Sequence, residues 1–112
     1  MDFALDKAQK DIQKAAVRFA KGEFDKELAL ELEKNHAYPE EIWKKACEEG
    51  FIGLHFPEAY GGSGYGILEN ALVVEEFCRR DSGIGAALLT AHFACEIILH
   101  HGTEEQKQLY LN

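Results

Sequence analysis

Residues 67–102 read ILENALVVEEFCRRDSGIGAALLTAHFACEIILHHG, and this stretch decides the fold class. Its first part, Ile67–Arg80, is apolar around most of a helical circumference. Asp81 or Ser82 has the side chain of a helix N-cap, so a second helix is expected over roughly Gly83–His101. A glycine then stops that helix. The stretch predicts two consecutive helices with little polar surface.

Helical spacing continues on both sides of this stretch. Leu5–Lys21 has a helical apolar stripe, and Phe24–Lys34 is rich in Glu and Lys, which favours a helix although its alternating leucines also suit a strand. Pro39 opens a third helix that Gly50 ends. Thr103 begins a capping box before a last helix over about 104–111. The sequence predicts an all-α fold, an orthogonal or irregular bundle of about five to six helices, as one domain over residues 1–112.

The two apolar helices need partners. Either they occupy a deep core, or they form a surface that another polypeptide covers. We favour the second alternative, because two such helices are unusual in a chain of 112 residues. Detached from its neighbours, the chain is expected to expose apolar faces around 67–77 or 83–99 and to associate.

Charge and cysteine content exclude several classes of function. The chain has 12 basic and 20 acidic residues, a formal net charge of −8. This disfavours binding to nucleic acid and to anionic membrane surfaces. Cys47, Cys78 and Cys95 are far apart and form no metal or disulfide pattern, which indicates a reducing compartment.

The chain offers no targeting or membrane signal that we recognise. Its N-terminus has no basic start followed by an apolar run. The most apolar stretch, Gly83–Leu99, is interrupted by polar residues and is somewhat short for a membrane span. We expect a cytoplasmic protein without membrane insertion.

Two patterns suggest ligands, but each has a simpler explanation. The glycine loop 61–66 follows no buried strand and lacks the lysine of a phosphate-binding loop, so a turn-rich connection is the favoured interpretation. His92, Glu96 and His100 share a helix face, but no second ligand set accompanies them. Hydrogen bonding in or near the core is therefore favoured over metal binding. No nucleophile–base pair is identifiable by spacing.

The start of the second apolar helix is the most suggestive feature. Its small residues over 83–92 leave space beside the backbone. A neighbouring helix or an apolar ligand could fill that space, and close helix packing is the commoner reason.

Specific motifs occur in a fixed order along the chain and resemble acyl-CoA dehydrogenases. The most specific, Pro-Glu-x-Tyr-Gly-Gly-x-Gly, spans 57–64. The others are Pro39-Glu40-Glu41-Ile42-Trp43, Gly50-Phe51-Ile52-Gly53, Val74-Glu75-Glu76, Arg80-Asp81-Ser82, Gly102–Lys107 and Tyr110-Leu111. The resemblance covers nearly the whole chain, and it is to the N-terminal helical domain of that family alone.

This resemblance implies a function for a larger protein. The middle β domain and the C-terminal helical domain would lie outside these residues, together with the catalytic glutamate and the FAD site. The full-length enzyme would bind FAD, oxidise acyl-CoA to 2,3-enoyl-CoA, pass electrons to electron-transferring flavoprotein and form a homotetramer or homodimer. No cofactor is expected on these residues alone, and no activity.

The resemblance also implies the role of this domain, which is to form one wall of the acyl pocket. The candidate wall residues are Ile84, Gly85, Leu88, Leu89 and His92. Because Ile84 and Leu88 offer neither a cation nor a hydroxyl, an apolar acyl chain is expected. The competing hypothesis is a stand-alone helical interaction module or a subunit of an assembly.

Overall fold

The computed structural model describes residues 2–112, except for the side chain of Ala91. Every regular element in that part of the chain is helical, which confirms the predicted all-α class. The elements are α1 (Lys7–Glu23), α2 (Lys26–Lys34), α3 (Glu40–Glu48), a 3₁₀ turn (Glu58–Tyr60), α4 (Ile67–Arg80), α5 (Ser82–Leu89), α6 (Ala91–His101) and α7 (Glu104–Tyr110).

The helix predicted over Gly83–His101 is interrupted at Thr90, between α5 and α6. The Phe93 amide donates to the Thr90 carbonyl at 3.1 Å, which is the tighter i to i+3 pattern. The Thr90 hydroxyl donates to the Ala87 carbonyl at 3.0 Å, a local contact that competes with helical pairing. Counted as one interrupted helix, α5 and α6 give the upper predicted number of helices, six.

Side-chain caps explain most helix starts. The Asp81 carboxylate accepts a hydrogen bond from the Ile84 amide at 2.9 Å, and Thr103 and Gln106 form the predicted capping box. Asp6 caps α1 in the same way, so this helix begins two residues later than predicted and continues through Glu23. Such contacts supply partners for amides that a helix start leaves without one.

The core is built around α4, which packs between α1 and α5. Phe77 is fully buried there, and three aromatic rings lie 5.2–5.4 Å from its own, measured between centroids. They belong to Phe19 on α1, Phe24 before α2 and Phe51 after α3. One α4 residue therefore joins segments that lie far apart in the sequence, and the aromatic contacts add to the burial of apolar area.

One carboxylate in this core was not predicted. Glu76 on α4 is buried, and its Oε1 accepts a hydrogen bond from Gln13 Nε2 on α1 at 3.3 Å. Arg79 Nη1 lies 3.6 Å from the same oxygen. The carboxylate is buried because α1 covers α4 on this side.

Within residues 2–112, the stretch Ser82–His101 has the length and apolarity of a membrane span, with a mean hydropathy of 1.6. This stretch is longer than Gly83–Leu99, which was judged somewhat short for a span. Ile84 and Leu88 of α5 are buried in the hydrophobic core, but only 29% of the apolar window is buried. We interpret α5 as a core helix, and the absence of membrane insertion stays a prediction.

Candidate functional site

An open, mainly apolar groove of about 400 Å³ lies between α4 and the α5–α6 junction. Two of its lining residues are largely exposed: Ile67, at 67%, and Phe93, at 75%. Exposed side chains of this size beside a concave surface are typical of a binding site. The lining residues are His55, Ile67, Asn70, Val74, Cys78, Ala86, Leu89, Thr90, His92, Phe93 and Glu96.

One helical face supplies most of the groove wall from α5 and α6. Ala86, Leu89, Thr90 and Phe93 recur at intervals of three or four residues, so they lie on the same side of the interrupted helix. Ala86 and Thr90 have small side chains and are exposed, which keeps the groove open between the larger residues. This spacing was available in the sequence, but a shift of one position turns a helix by about 100°.

Two of the five residues predicted to form an acyl-pocket wall line this groove, Leu89 and His92. Leu88 is fully buried in the core, and Ile84 belongs to the same core cluster. Ile84 also reaches a separate depression between α2 and α5. Contact between any of the five and an acyl chain stays a prediction.

The fifth residue, Gly85, lies against the backbone of α4. A methyl group there would come within 2.9 Å of the Cys78 amide nitrogen and 3.0 Å of the Phe77 carbonyl carbon. The space beside Gly85 is therefore filled by a neighbouring helix, which was the simpler of the two explanations considered.

Two histidines form the polar end of the groove. His92 is buried, and its Nε2 accepts a hydrogen bond from the Gly53 amide at 3.0 Å. His55 Nε2 is paired with the Glu96 carboxylate, whose second oxygen lies 3.4 Å from His100 Nε2. Burial lowers the pKa of His92, and the neighbouring His55 lowers it further against the opposing effect of Glu96. The neutral form of His92 is thus favoured twice, because it is also the form that can accept the Gly53 proton.

These contacts show which partners His92, Glu96 and His100 have, the three residues considered above as metal ligands. His92 turns to Gly53, whereas Glu96 lies between His55 and His100. In the part of the chain that the structure describes, no three His, Cys, Asp or Glu side chains are placed to hold a metal ion. Hydrogen bonding near the core is the role that the structure gives to His92.

Burial disfavours the thiolate form of the two cysteines at and near the groove. Cys78 lines the groove, and burial raises the pKa of its thiol. Burial also raises the pKa of Cys95, with a further contribution from Glu96. Both thiols stay protonated near neutral pH, and a protonated thiol is a poor nucleophile.

The glycine loop is a structural connection, as predicted. The Gly62 amide donates to the Pro57 carbonyl and the Gly64 amide to the Phe56 carbonyl, at 3.1 and 2.9 Å. A methyl group at Gly62 would lie 2.1 Å from the Phe56 carbonyl oxygen, so glycine is required for this close approach. These amides have partners within the loop and are not free to hold phosphate.

Comparison with known proteins identifies this architecture. The family described as "Acyl-CoA dehydrogenase, N-terminal domain" matches residues 6–112. The chain belongs to this family. The domain is also similar to butyryl-CoA dehydrogenase of Megasphaera elsdenii, with a TM-score of 0.79 and 35% identity over 99% of this chain and 30% of that one.

Two curated relatives extend the comparison. The domain is 38% identical to an acryloyl-CoA reductase (NADH) of Anaerotignum propionicum, over 99% of this chain and 28% of the relative. It is 36% identical to a short-chain specific acyl-CoA dehydrogenase of Clostridium acetobutylicum, over 99% of this chain and 29% of the relative. The chain thus spans less than a third of the length of these relatives.

Neither the glycine loop nor the groove by itself fits FAD. The pyrophosphate of FAD needs amide donors or cations, but the amides of Gly62 and Gly64 donate within their own loop. The groove is mainly apolar, and its one acidic residue, Glu96, already pairs with His55. The groove suits the side of an apolar chain better than it suits a dinucleotide.

Proposed function

We propose that this chain is the acyl-pocket domain of an FAD-dependent acyl-CoA dehydrogenase whose whole enzyme oxidises acyl-CoA to 2,3-enoyl-CoA. The observation that carries the proposal is the apolar groove between α4 and the α5–α6 junction, in a chain of this family. FAD, the base that removes the substrate proton and the CoA-binding residues would come from polypeptide outside residues 1–112.

The acyl wall is placed on the groove face of Ala86, Leu89, Thr90 and Phe93, with His92 at its polar end. Val74 and Ile67 of α4 would face this wall across the groove. Each methylene that leaves water for such a surface contributes roughly 0.8 kcal/mol, so the wall could rank acyl groups by length. An apolar acyl chain fits these residues best.

Partners of the whole enzyme are proposed from its relatives. The domain is also similar to a chain in a structure described as that of the electron-transferring flavoprotein of Acidaminococcus fermentans, with a TM-score of 0.84 and 40% identity over 99% of this chain and 29% of that one. A relative from Acetobacterium woodii is named as a subunit of a caffeyl-CoA reductase–Etf complex. An electron-transferring flavoprotein is therefore the proposed partner, and the full-length protein is proposed to be a homotetramer or homodimer. The cytoplasmic location stays a prediction.

The nucleotide sequence of the gene provides the first test of the proposal. We expect the reading frame to continue beyond the codon for Asn112 into a β-rich segment and a second helical domain. A stop codon directly after Asn112 would support the stand-alone helical module instead.

Enzyme assay of the full gene product then tests the groove. The change Ala86→Phe fills the groove from an exposed helix position, and we expect kcat/KM for an acyl-CoA to fall at least about tenfold. The matched control is Ala94→Phe, which adds the same ring at an exposed position of α6 outside the groove lining. Equal activity of the two variants would contradict the placement of the acyl chain.

The flavin content of the 112-residue chain tests the cofactor placement separately. We expect the purified chain to lack a flavin absorbance band at about 450 nm, because the proposed FAD site lies on polypeptide outside these residues. A stoichiometric flavin spectrum would refute this placement.

A further inference from the structure

The attachment of α6 to the loop of residues 51–56 includes titratable side chains. Past Thr90, the large apolar residues Phe93 and Ile97 are 75% and 66% exposed. His92 of this helix is buried and its ring accepts the Gly53 amide hydrogen, while Glu96 contacts His55 one turn later; Ile98 and Leu99 are half-buried. Both contacts reach the same loop, residues 51–56.

The His92–Gly53 contact exists in one protonation state only. A neutral imidazole can accept at Nε2, but an imidazolium carries hydrogens on both nitrogens and accepts nothing. Protonation would therefore place two donors against each other at 3.0 Å in a buried setting. It would also leave the Gly53 amide without an acceptor, which is costly inside a protein.

We propose that His92 and Gly53 form a proton-sensitive latch that holds α6 against the loop of residues 51–56 and releases it when the imidazole takes up a proton. The hinge is Thr90, where the helix is already interrupted. Because His55, His92 and Phe93 all line the groove, release widens it at its polar end. The latch does not depend on what the groove binds.

The other ionisable groups around His92 affect the latch in known directions. His55 on the loop disfavours protonation of His92, whereas Glu96 on α6 favours it. His100 lies on the next turn of α6, and its Nε2 is 3.4 Å from the second carboxylate oxygen of Glu96. The Cys78 thiol on α4 also lines the groove and stays neutral, because burial raises its pKa.

Amide hydrogen exchange of the 112-residue chain tests the latch. Between about pH 7.5 and the lowest pH at which the chain stays folded, we expect exchange at Gly53, corrected for its intrinsic pH dependence, to accelerate about tenfold relative to the core amide of Leu88. Parallel changes at Gly53 and Leu88 would overturn the proposal, since they would indicate global unfolding. Constant protection of Gly53 over this range would overturn it equally.

Two variants and one direct measurement complete the test. In His92→Gln the side-chain oxygen can still accept a hydrogen bond from the Gly53 amide, but it does not titrate. The selective acceleration of Gly53 exchange at low pH should therefore disappear. In the control His101→Gln, which removes an exposed histidine of the same helix, it should persist. Should His92→Gln fail to fold, ¹⁵N shifts of the wild-type His92 ring give the midpoint of its titration, and that midpoint must coincide with the change at Gly53. Different midpoints, or a pH response retained by His92→Gln, would contradict the latch.

Discussion

At the scale of single residues, glycines decide where helices and loops approach closely. Gly85 allows α5 to lie on α4, and Gly62 allows the loop to fold over the Phe56 carbonyl. The sequence showed small residues at these places but could not show which neighbour fills the space. That depends on contacts between segments far apart in the chain.

Adding one methyl group at Gly85 should therefore destabilise the domain. A Cβ at this position meets backbone atoms of Cys78 and Phe77, which cannot rotate away, so Gly85→Ala is expected to lower the free energy of unfolding by about 1–3 kcal/mol. At Gly22 the same Cβ meets nothing within 4 Å, and Gly22→Ala in α1 should be neutral or slightly stabilising. Urea unfolding of the two variants measures the difference, and equal effects would refute close packing of α4 and α5.

Only part of the groove lining was predicted from the sequence. Leu89 and His92 were predicted and line the groove, whereas Ala86, Thr90 and Phe93 line it without having been predicted. The helix and its small residues were evident from the sequence. Its rotation was not, because α4 fixes that rotation through its contact with Gly85.

At the scale of elements, two capped helix starts were predicted correctly, and the interruption at Thr90 was not predicted. The Asp81 cap and the Thr103 capping box follow from local spacing and are present. The break at Thr90 has a weaker local signal, since a threonine within a helix often keeps it intact. The Phe19, Phe24, Phe51 and Phe77 cluster has no local signal, because its rings come from four separate segments.

Loss of the Asp81 cap should weaken α5 without affecting its packing residues. The carboxylate satisfies the Ile84 amide at the helix start, so Asp81→Ala is expected to reduce the free energy of unfolding by about 1 kcal/mol. The variant Asp81→Asn retains a capping oxygen and should lose much less. Thermal and urea unfolding check this order, and an equal loss in both variants would argue against a capping role.

The attachment of α6 should also make stability depend on pH. The pKa of His92 is lowered below its ordinary value of 6.5 by burial and then by His55. As the pH falls, the unfolded chain therefore takes up this proton before the folded chain does. The contribution of neutral His92 to the free energy of unfolding is complete above about pH 6.5 and is lost as the pH falls towards the lower native pKa. The loss cannot exceed about 1.4 kcal/mol per pH unit for one proton.

Comparison of variants isolates that contribution. Stability curves of the wild type and His92→Gln, measured by urea unfolding at several pH values, should diverge below about pH 6.5, with the wild type losing more. His101→Gln serves as the control for removal of one histidine. Parallel curves for wild type and His92→Gln would show that His92 keeps the same protonation in both states.

At the scale of the whole molecule, large apolar side chains are exposed on several helices. Ile67 on α4, Phe93 and Ile97 on α6, and Leu109 on α7 are all at least 66% exposed. This agrees with the expectation that the two apolar helices present faces for another polypeptide. Exposed apolar surface of this kind promotes association.

The isolated chain should therefore associate as its concentration rises. Replacement of Ile97, an exposed residue outside the groove lining, by Gln should reduce association, whereas Leu30→Gln on α2 controls for loss of an exposed leucine elsewhere. Light scattering across a concentration series measures this. A strictly monomeric wild type at high concentration would contradict the expectation.

The central claim is that the groove between α4 and the α5–α6 junction receives an acyl chain. Mapping of NMR chemical-shift changes on titration of the chain with a short acyl-pantetheine, with pantetheine alone as the control, tests it directly. The account predicts acyl-dependent shifts at Ala86, Leu89, Thr90 and Phe93. Acyl-dependent shifts confined to the depression around Ile84 and Ala87, or no difference between the two probes, would contradict it.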